Sequence, residues 1–278
     1  MSSLNDLKTV ETIARGAGDV ILKHFRKVQR LTKTHAATSN EAVTEADRES
    51  QRFIVAELRK HFPATDGVIG EESDDGSSIT LDVRDPAGRN WVIDPIDGTN
   101  NFIAGLGGFC VCIGLLEAGV PTLGVVYDVL AGKVYRAARG VGAFVNDQVI
   151  ACPAGGMHDA SVLCMTANLV GKDGRTPGWA VKLLGQLTWK VRILGSAALE
   201  AVLVAEGVAG AAIQVNTKLW DIAAAAAIVL EAGGTITDLS GNTLFPFDLR
   251  NYAGQKIPYL AGTHDSHGDV LEYLKANP

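Results

Sequence analysis

Asp94 and Asp97 stand three residues apart at the end of an apolar run, Trp91-Val92-Ile93-Asp94-Pro95-Ile96-Asp97-Gly98-Thr99. Carboxylates held close together in a partly dry site repel each other and need a positive partner. A hard divalent cation such as Mg2+ suits them, because it takes its ligands from carboxylate and carbonyl oxygens. The same residues can also build a plain turn, since Asp, Pro and Gly favour turns for backbone reasons. Three further acidic motifs bear on the choice. Gly70-Glu71-Glu72 leaves the end of a short apolar strand, where only one of two neighbouring side chains can face a given site. Leu219-Trp220-Asp221 opens an alanine-rich helix, a position where Asp serves as an N-cap or as a ligand. Val43-Thr44-Glu45-Ala46-Asp47 opens another helix with a spacing close to that of a capping box. Four acidic motifs at element boundaries, in a chain only 20% charged, point together to one carboxylate site.

The elements that must position these residues follow from periodicity. Leu4, Leu7, Val10, Ile13, Ala14, Ala17, Val20 and Ile21 recur at helical spacing and predict an opening amphipathic helix. Residues 33–40 read as a mobile loop, and a second helix starts near Thr44 with Ala46, Phe53, Ile54 and Leu58 inward. Residues 68–70 read as a strand, and the acidic, Ser/Gly-rich stretch 74–78 as a surface loop. Strand-like runs at 109–116, 122–128, 133–138 and 143–145 are spaced as an antiparallel meander. Beyond residue 160, strands at 162–165 and 190–193 alternate with helices at 196–206 and 222–231, the last followed by Gly233-Gly234 as a C-cap. The order predicts an α/β (α+β) protein, layered as a sandwich of helices and sheets. An N-terminal lobe, 1–150, carries the acidic motifs, and a C-terminal α/β lobe, 151–278, completes the site across a cleft.

Apolar residues make up 47% of the 278-residue chain, enough for a sizeable core. The net charge of −6 argues against nucleic acid or an anionic membrane as partner, since either calls for a basic patch. It leaves small phosphorylated substrates open, because a bound cation supplies positive charge locally. No stretch is long and apolar enough to span a membrane, and the polar start lacks the pattern of an export signal. Cys110 and Cys112, two apart in a strand-like run, should both face into a core. With Cys152 and Cys164 they form no Cys-x-x-Cys pair, so a reduced, cytoplasmic protein is expected. His264 and His267 fall at the start of the last helix, where capping and solvation account for them and no third zinc ligand is evident.

Gly70-Glu71-Glu72-Ser73, the run from Trp91 to Thr99 and Trp220-Asp221 resemble the inositol monophosphatase family of magnesium-dependent, lithium-sensitive phosphatases. Gly124-Val125-Val126-Tyr127-Asp128, Gly140-Val141-Gly142-Ala143-Phe144 and Glu231-Ala232-Gly233-Gly234 resemble family segments in the same order, so the likeness covers nearly the whole chain. It implies a layered αβαβα sandwich, a homodimer, and two or three Mg2+ ions held by Glu71, Asp94, Asp97, Asp221 and the Ile96 carbonyl. It further implies that the Gly98 and Thr99 amides meet the substrate phosphate, as helix N-termini meet anions. Asp47 and Thr99, with Glu71 assisting, would orient and deprotonate a metal-activated water. Gly195, Ser196 and Ala197 would line the substrate pocket. Phosphate-monoester hydrolysis is among the slowest uncatalysed reactions, and metal ions lower its barrier without a covalent nucleophile.

Two positions depart from the family pattern, both on the substrate side. Inositol-specific members usually carry Glu seven residues before the aspartate of Trp220-Asp221; here Gln214 stands there, uncharged and with two added donors. Ala104 replaces a frequent His after the Asp-Gly-Thr triplet. These departures leave the reaction intact and open the identity of the leaving group: the likeness makes inositol monophosphate the default substrate, with fructose 1,6-bisphosphate, histidinol phosphate and 3′-phosphoadenosine 5′-phosphate as alternatives. Asp97-Gly98-Thr99 superficially resembles the haloacid-dehalogenase signature, but the Asp-x-x-Asp spacing and Pro95 argue against it. A non-catalytic sugar- or nucleotide-phosphate binder is the third reading.

Overall fold

The computed structural model describes residues 3–26, 31–32, 42–43, 45–73, 79–170, 174–185 and 188–277. The loops expected over 33–40 and 74–78, and Thr44, lie outside the described residues. Helix α1 (Leu4–His24) starts at a capping box in which Ser3 Oγ accepts the Asp6 amide and Asp6 accepts the Ser3 amide. Its buried face is the predicted stripe from Leu7 to Ile21. A short antiparallel pair follows, β1 (Leu31–Thr32) with β2 (Ala42–Val43), and then α2 (Glu45–His61), which buries Ala46, Ile54 and Leu58 and leaves Phe53 half-buried.

Strands β3 (Gly67–Gly70), β4 (Thr80–Asp82) and β5 (Arg89–Asp97) precede the short helix α3 (Thr99–Ala104). The meander continues as β6 (Cys110–Glu117), β7 (Val120–Asp128), β8 (Lys133–Ala138), β9 (Gly142–Val145) and β10 (Gln148–Ile150). Together these strands make one eight-stranded sheet in the order β10-β9-β8-β7-β6-β5-β3-β4, antiparallel except where β3 meets β5. The second half supplies β11 (Val162–Met165), α4 (Gly178–Gly185), β12 (Lys190–Arg192), α5 (Ala197–Ala205), β13 (Ala211–Gln214), α6 (Leu219–Glu231), β14 (Thr235–Thr237), β15 (Tyr259–Gly262) and α7 (His264–Ala276). Its five-stranded sheet runs β12-β11-β13-β15-β14.

Helices α1 and α2 cover one face of the large sheet, α5 and α6 lie between the two sheets, and α4 and α7 close the far side. The layering is the αβαβα sandwich that was expected. One apolar cluster joins Val92, Cys112 and Val126 of the large sheet to α5, α6 and Tyr259, so the core is continuous across residue 150. Helix α6 lies unusually close to the sheet. Gly114 and Gly124 face each other on β6 and β7, and a Cβ at Gly124 would stand 2.1 Å from the Ala224 carbonyl oxygen. An alanine-rich helix needs such bare backbone beneath it to pack at this depth. No helix among the described residues is long and apolar enough to cross a membrane.

Candidate active site

Residues three apart on a regular strand point to opposite faces, which would separate Asp94 from Asp97. Here Asp94 pairs with Cys112 and Asp97 with Cys110, so β5 spends three residues where β6 spends two. The extra residue is a bulge, and it re-aims Asp97 to the side that Asp94 faces. Pro95 lies within it, a place where a missing backbone N–H is tolerated. Asp94 Oδ1 accepts the Ile96 amide at 2.9 Å, and the Thr99 hydroxyl donates to the Ile96 carbonyl at 2.9 Å. Gly98 completes the turn at φ 91, and a Cβ there would lie 2.7 Å from the Gly108 carbonyl oxygen, so no larger residue fits.

This turn lines a cleft of about 460 Å³ together with residues from both halves of the chain. Glu71 reaches it from the end of β3, Asp94 and Asp97 from β5, and Asp221 from the first turn of α6. Ile96, Gly98, Thr99, Gly195, Ser196, Ala197 and Gln214 also line it. Asp47 is not among the lining residues; it is buried in the first turn of α2. Of the two neighbouring acids after β3, Glu71 faces the cleft, while buried Glu72 is held through its backbone, its amide donating to Gln51 Oε1 at 3.0 Å and its carbonyl accepting from Gln51 Nε2. Asp221 is the third residue of α6 rather than its N-cap; its Oδ2 accepts the Lys218 amide at 2.8 Å. Capping and site are thus served by one side chain.

The electrostatics are those of a buried acidic cluster in which desolvation and mutual repulsion dominate. Burial, then repulsion from Glu71, Asp97 and Asp221, holds the Asp94 carboxyl well above its ordinary range. Burial and the charge of Asp97 push Asp221 up to about 7, although it bonds the Lys218 amide and the Asp94 carboxyl. No Lys or Arg is among the described residues lining the cleft. The carboxylate and carbonyl oxygens that line the cleft fit Mg2+ rather than a soft metal, and the Cys110 and Cys112 sulfurs clustered with Asp97 are not among the lining residues. Asp97 is raised by burial as well, opposed by hydrogen bonds from Ser196 Oγ at 2.6 Å and the Ala198 amide at 2.7 Å. The N-terminus of α5 therefore grips a carboxylate of β5.

Two residues missed in the sequence complete the site. Glu200, 1% exposed, lines the cleft and accepts the amides of Leu194 at 2.6 Å and Gly195 at 3.1 Å. Burial pushes its carboxyl up to about 7. The signal was present, since Glu200 is the one charged residue in α5. Asn101 donates to the carbonyls of Gly108 at 2.8 Å and Leu194 at 2.7 Å and ties the two cleft walls together. Nothing in its sequence context distinguishes it from a loop asparagine. Gln214 does not stand free: its Nε2 donates to Glu200 Oε2. Cys110 and Cys112 are buried side by side, their sulfurs 3.6 Å apart beneath Asp97. His267 is buried against Thr237 Oγ1 at 2.8 Å, and exposed His264 pairs with Asp265; neither lines the cleft.

Comparison with known proteins agrees with this geometry. Residues 5–272 match the model of the inositol monophosphatase family. The "Fructose-1,6-bisphosphatase/inositol-1-monophosphatase" of Thermotoga maritima is 35% identical, over 82% of this chain and 83% of the relative. The "Nus factor SuhB" of Salmonella typhimurium is 32% identical, over 93% of this chain and 96% of the relative. A solved structure of a Thermotoga maritima IMPase aligns with a TM-score of 0.81 at 29% identity, covering 98% of each chain. A bulged strand carrying Asp94 and Asp97, met by Glu71 and Asp221 and embedded in this five-layer fold, accompanies a match over almost the full length. The chain belongs to the inositol monophosphatase family and is a phosphatase.

Proposed function

We propose that the protein is a Mg2+-dependent phosphatase that hydrolyses a small phosphate monoester by direct attack of water. The observation that carries this reading is the convergence of Glu71, Asp94, Asp97 and Asp221, from three separate elements, on one cleft lined by no described Lys or Arg. These four carboxylates and the Ile96 carbonyl would hold two or three Mg2+ ions. Bound divalent cations supply charge neutralisation of the phosphoryl oxygens, a lowered pKa for the attacking water and stabilisation of the leaving alkoxide. The chain itself does the positioning. Gly98 and Thr99 seat the phosphate at the start of α3, where the left-handed Gly98 lets the backbone come close. Asp47 and Thr99, with Glu71 assisting, would orient and deprotonate the attacking water; Thr99 and Glu71 line the cleft, and Asp47, buried in α2, would act through them. Gly195, Ser196, Ala197 and Gln214 face the leaving alcohol.

Inositol monophosphate is the default substrate. The name of the Thermotoga relative keeps fructose 1,6-bisphosphate in view, and histidinol phosphate and 3′-phosphoadenosine 5′-phosphate complete the panel. Family membership supports a homodimer and inhibition by lithium, and the four free cysteines support a cytoplasmic setting. The test is phosphate release from this panel and from p-nitrophenyl phosphate, with Mg2+ and with a chelator. Turnover that depends on Mg2+ is expected. Tight Mg2+ binding with no release from any ester would favour a non-catalytic phosphate binder, and a phospho-aspartate trapped by acid quench would contradict direct attack.

A further inference from the structure

Across β5 and β6, Asp97 pairs with Cys110 and Asp94 with Cys112. Residues directly opposite in an antiparallel pair share a face, and so do residues two apart on one strand. The bulge that brings Asp97 round to Asp94 therefore also sets it over both cysteines. The Cys110 thiol donates to Asp97 Oδ2 at 3.9 Å, and its sulfur lies 3.6 Å from Cys112 Sγ and 3.5 Å from Ser196 Oγ. Both cysteines are fully buried. Core packing accounts for a cysteine on a buried strand, but not for two sulfurs converging on a carboxylate, all within 4.8 Å of one another.

A tetrahedral centre with metal–sulfur bonds of about 2.3 Å and a metal–oxygen bond of about 2.0 Å spaces its sulfurs about 3.8 Å apart, and sulfur from oxygen about 3.5 Å. The separations of 3.6 Å between the sulfurs and 3.9 Å from Cys110 Sγ to Asp97 Oδ2 are close to both. Thiolates select soft cations over Mg2+. We propose that Cys110, Cys112 and Asp97 form a site for a thiophilic divalent cation such as Zn2+, and that its occupation withdraws Asp97 from the Mg2+ cluster and stops turnover. Asp97 and Ser196 line the cleft and the sulfurs do not, so the ion enters from the cleft past these two side chains. Burial pushes both thiols up, so each S–H proton leaves to solvent as its sulfur bonds the cation. A cation behind Asp97 takes a share of its carboxylate and repels one in front. The loss of turnover rests on the phosphatase reading above; the binding does not.

The experiment has a binding arm and an activity arm. Cd2+, a spectroscopic stand-in for Zn2+, is titrated into the Cys152→Ala/Cys164→Ala variant, whose remaining thiols are Cys110 and Cys112. An ultraviolet thiolate-to-cadmium charge-transfer band should grow and saturate at one ion per chain. This arm needs neither site cysteine replaced, so it stands even where their variants fail to fold. In the second arm Zn2+ is added to the Mg2+-loaded wild type turning over p-nitrophenyl phosphate. Inhibition should set in slowly, as the site is buried, and more Mg2+ should raise the Zn2+ needed. Cys110→Ser and Cys112→Ser should keep Mg2+-dependent turnover near that of the wild type. Loss of an outer partner of a metal site costs roughly 10–100-fold in affinity, so loss of a sulfur ligand should raise the Zn2+ for half-inhibition by at least about tenfold. Cys152→Ser should leave it unchanged.

No charge-transfer band in the variant that retains only Cys110 and Cys112 would overturn the proposal. So would equal Zn2+ sensitivity in the wild type and both serine variants, which would place the inhibitory ion on the cleft carboxylates alone. A chain that releases phosphate from no ester would overturn the phosphatase reading, and the cadmium titration would still decide whether the site exists.

Discussion

Asp94 is buried beside three other acids, and burial and their charges oppose its ionised form. Asn keeps its shape and removes that charge. Asp94→Asn should therefore lower phosphate release by more than the roughly 10–100-fold typical of losing an outer partner of a metal site. The Tm of the cation-free protein should stay level or rise. Near-wild-type turnover at ordinary Mg2+ would remove Asp94 from the ligand set. Asp47 makes a contrasting case, being buried outside the cleft lining. Asp47→Asn should lower kcat while leaving the Mg2+ concentration for half-maximal activity unchanged, and a large shift in that concentration would make it a ligand instead. At this scale the sequence was most readable where residue type and chemistry coincide, as with four acids at element ends. Glu200 was harder to see because its contact with Gln214 is made only in the tertiary structure.

At the scale of elements, Asp221 is placed by how deeply α6 sits on β6 and β7. Gly124→Ala would force a Cβ against the Ala224 carbonyl, at 2.1 Å before relaxation. Overpacking of this kind costs about 1–3 kcal/mol. Because α6 carries Asp221, the variant should also need more Mg2+ for half-maximal activity. A fall in Tm without any change in Mg2+ dependence would mean that the helix end stays in place. Gly268→Ala is the counterpart in α7: nothing lies within 4 Å of its Cβ, so helix propensity alone should stabilise it by about 0.5–1 kcal/mol. The bulge in β5 teaches the same lesson in reverse. Strand alternation taken literally would have sent Asp94 and Asp97 to opposite faces, and Pro95 was the one residue in the run that marked a break in the ladder.

For the molecule as a whole, the raised carboxyls link stability to pH. Asp221 lies near 7 in the folded chain against an ordinary 3.8, Glu200 near 7 against 4.5, and Asp94 is raised in the same direction. The folded state therefore keeps protons that the unfolded chain releases above about pH 4. Stability from these groups is present below that pH and is lost as pH rises toward 7. Without divalent cations, Tm should fall between pH 5 and pH 8, and added Mg2+ should restore most at pH 8 and least at pH 5. A Tm that rises over this range, or a Mg2+ effect independent of pH, would contradict the linkage. The sequence by itself determined the helix stripes, the meander, the layered fold class and the acidic motifs, because periodicity and turn chemistry act over a few neighbouring residues. Only the tertiary structure decided which acids share one cleft, that a bulge turns Asp97 inward, that Asp47 is buried outside the cleft lining, and that Gln214 meets Glu200. Those outcomes depend on pairs such as 97 with 196 and 200 with 214, brought together by strand register and the depth at which helices pack, and no local pattern encodes either.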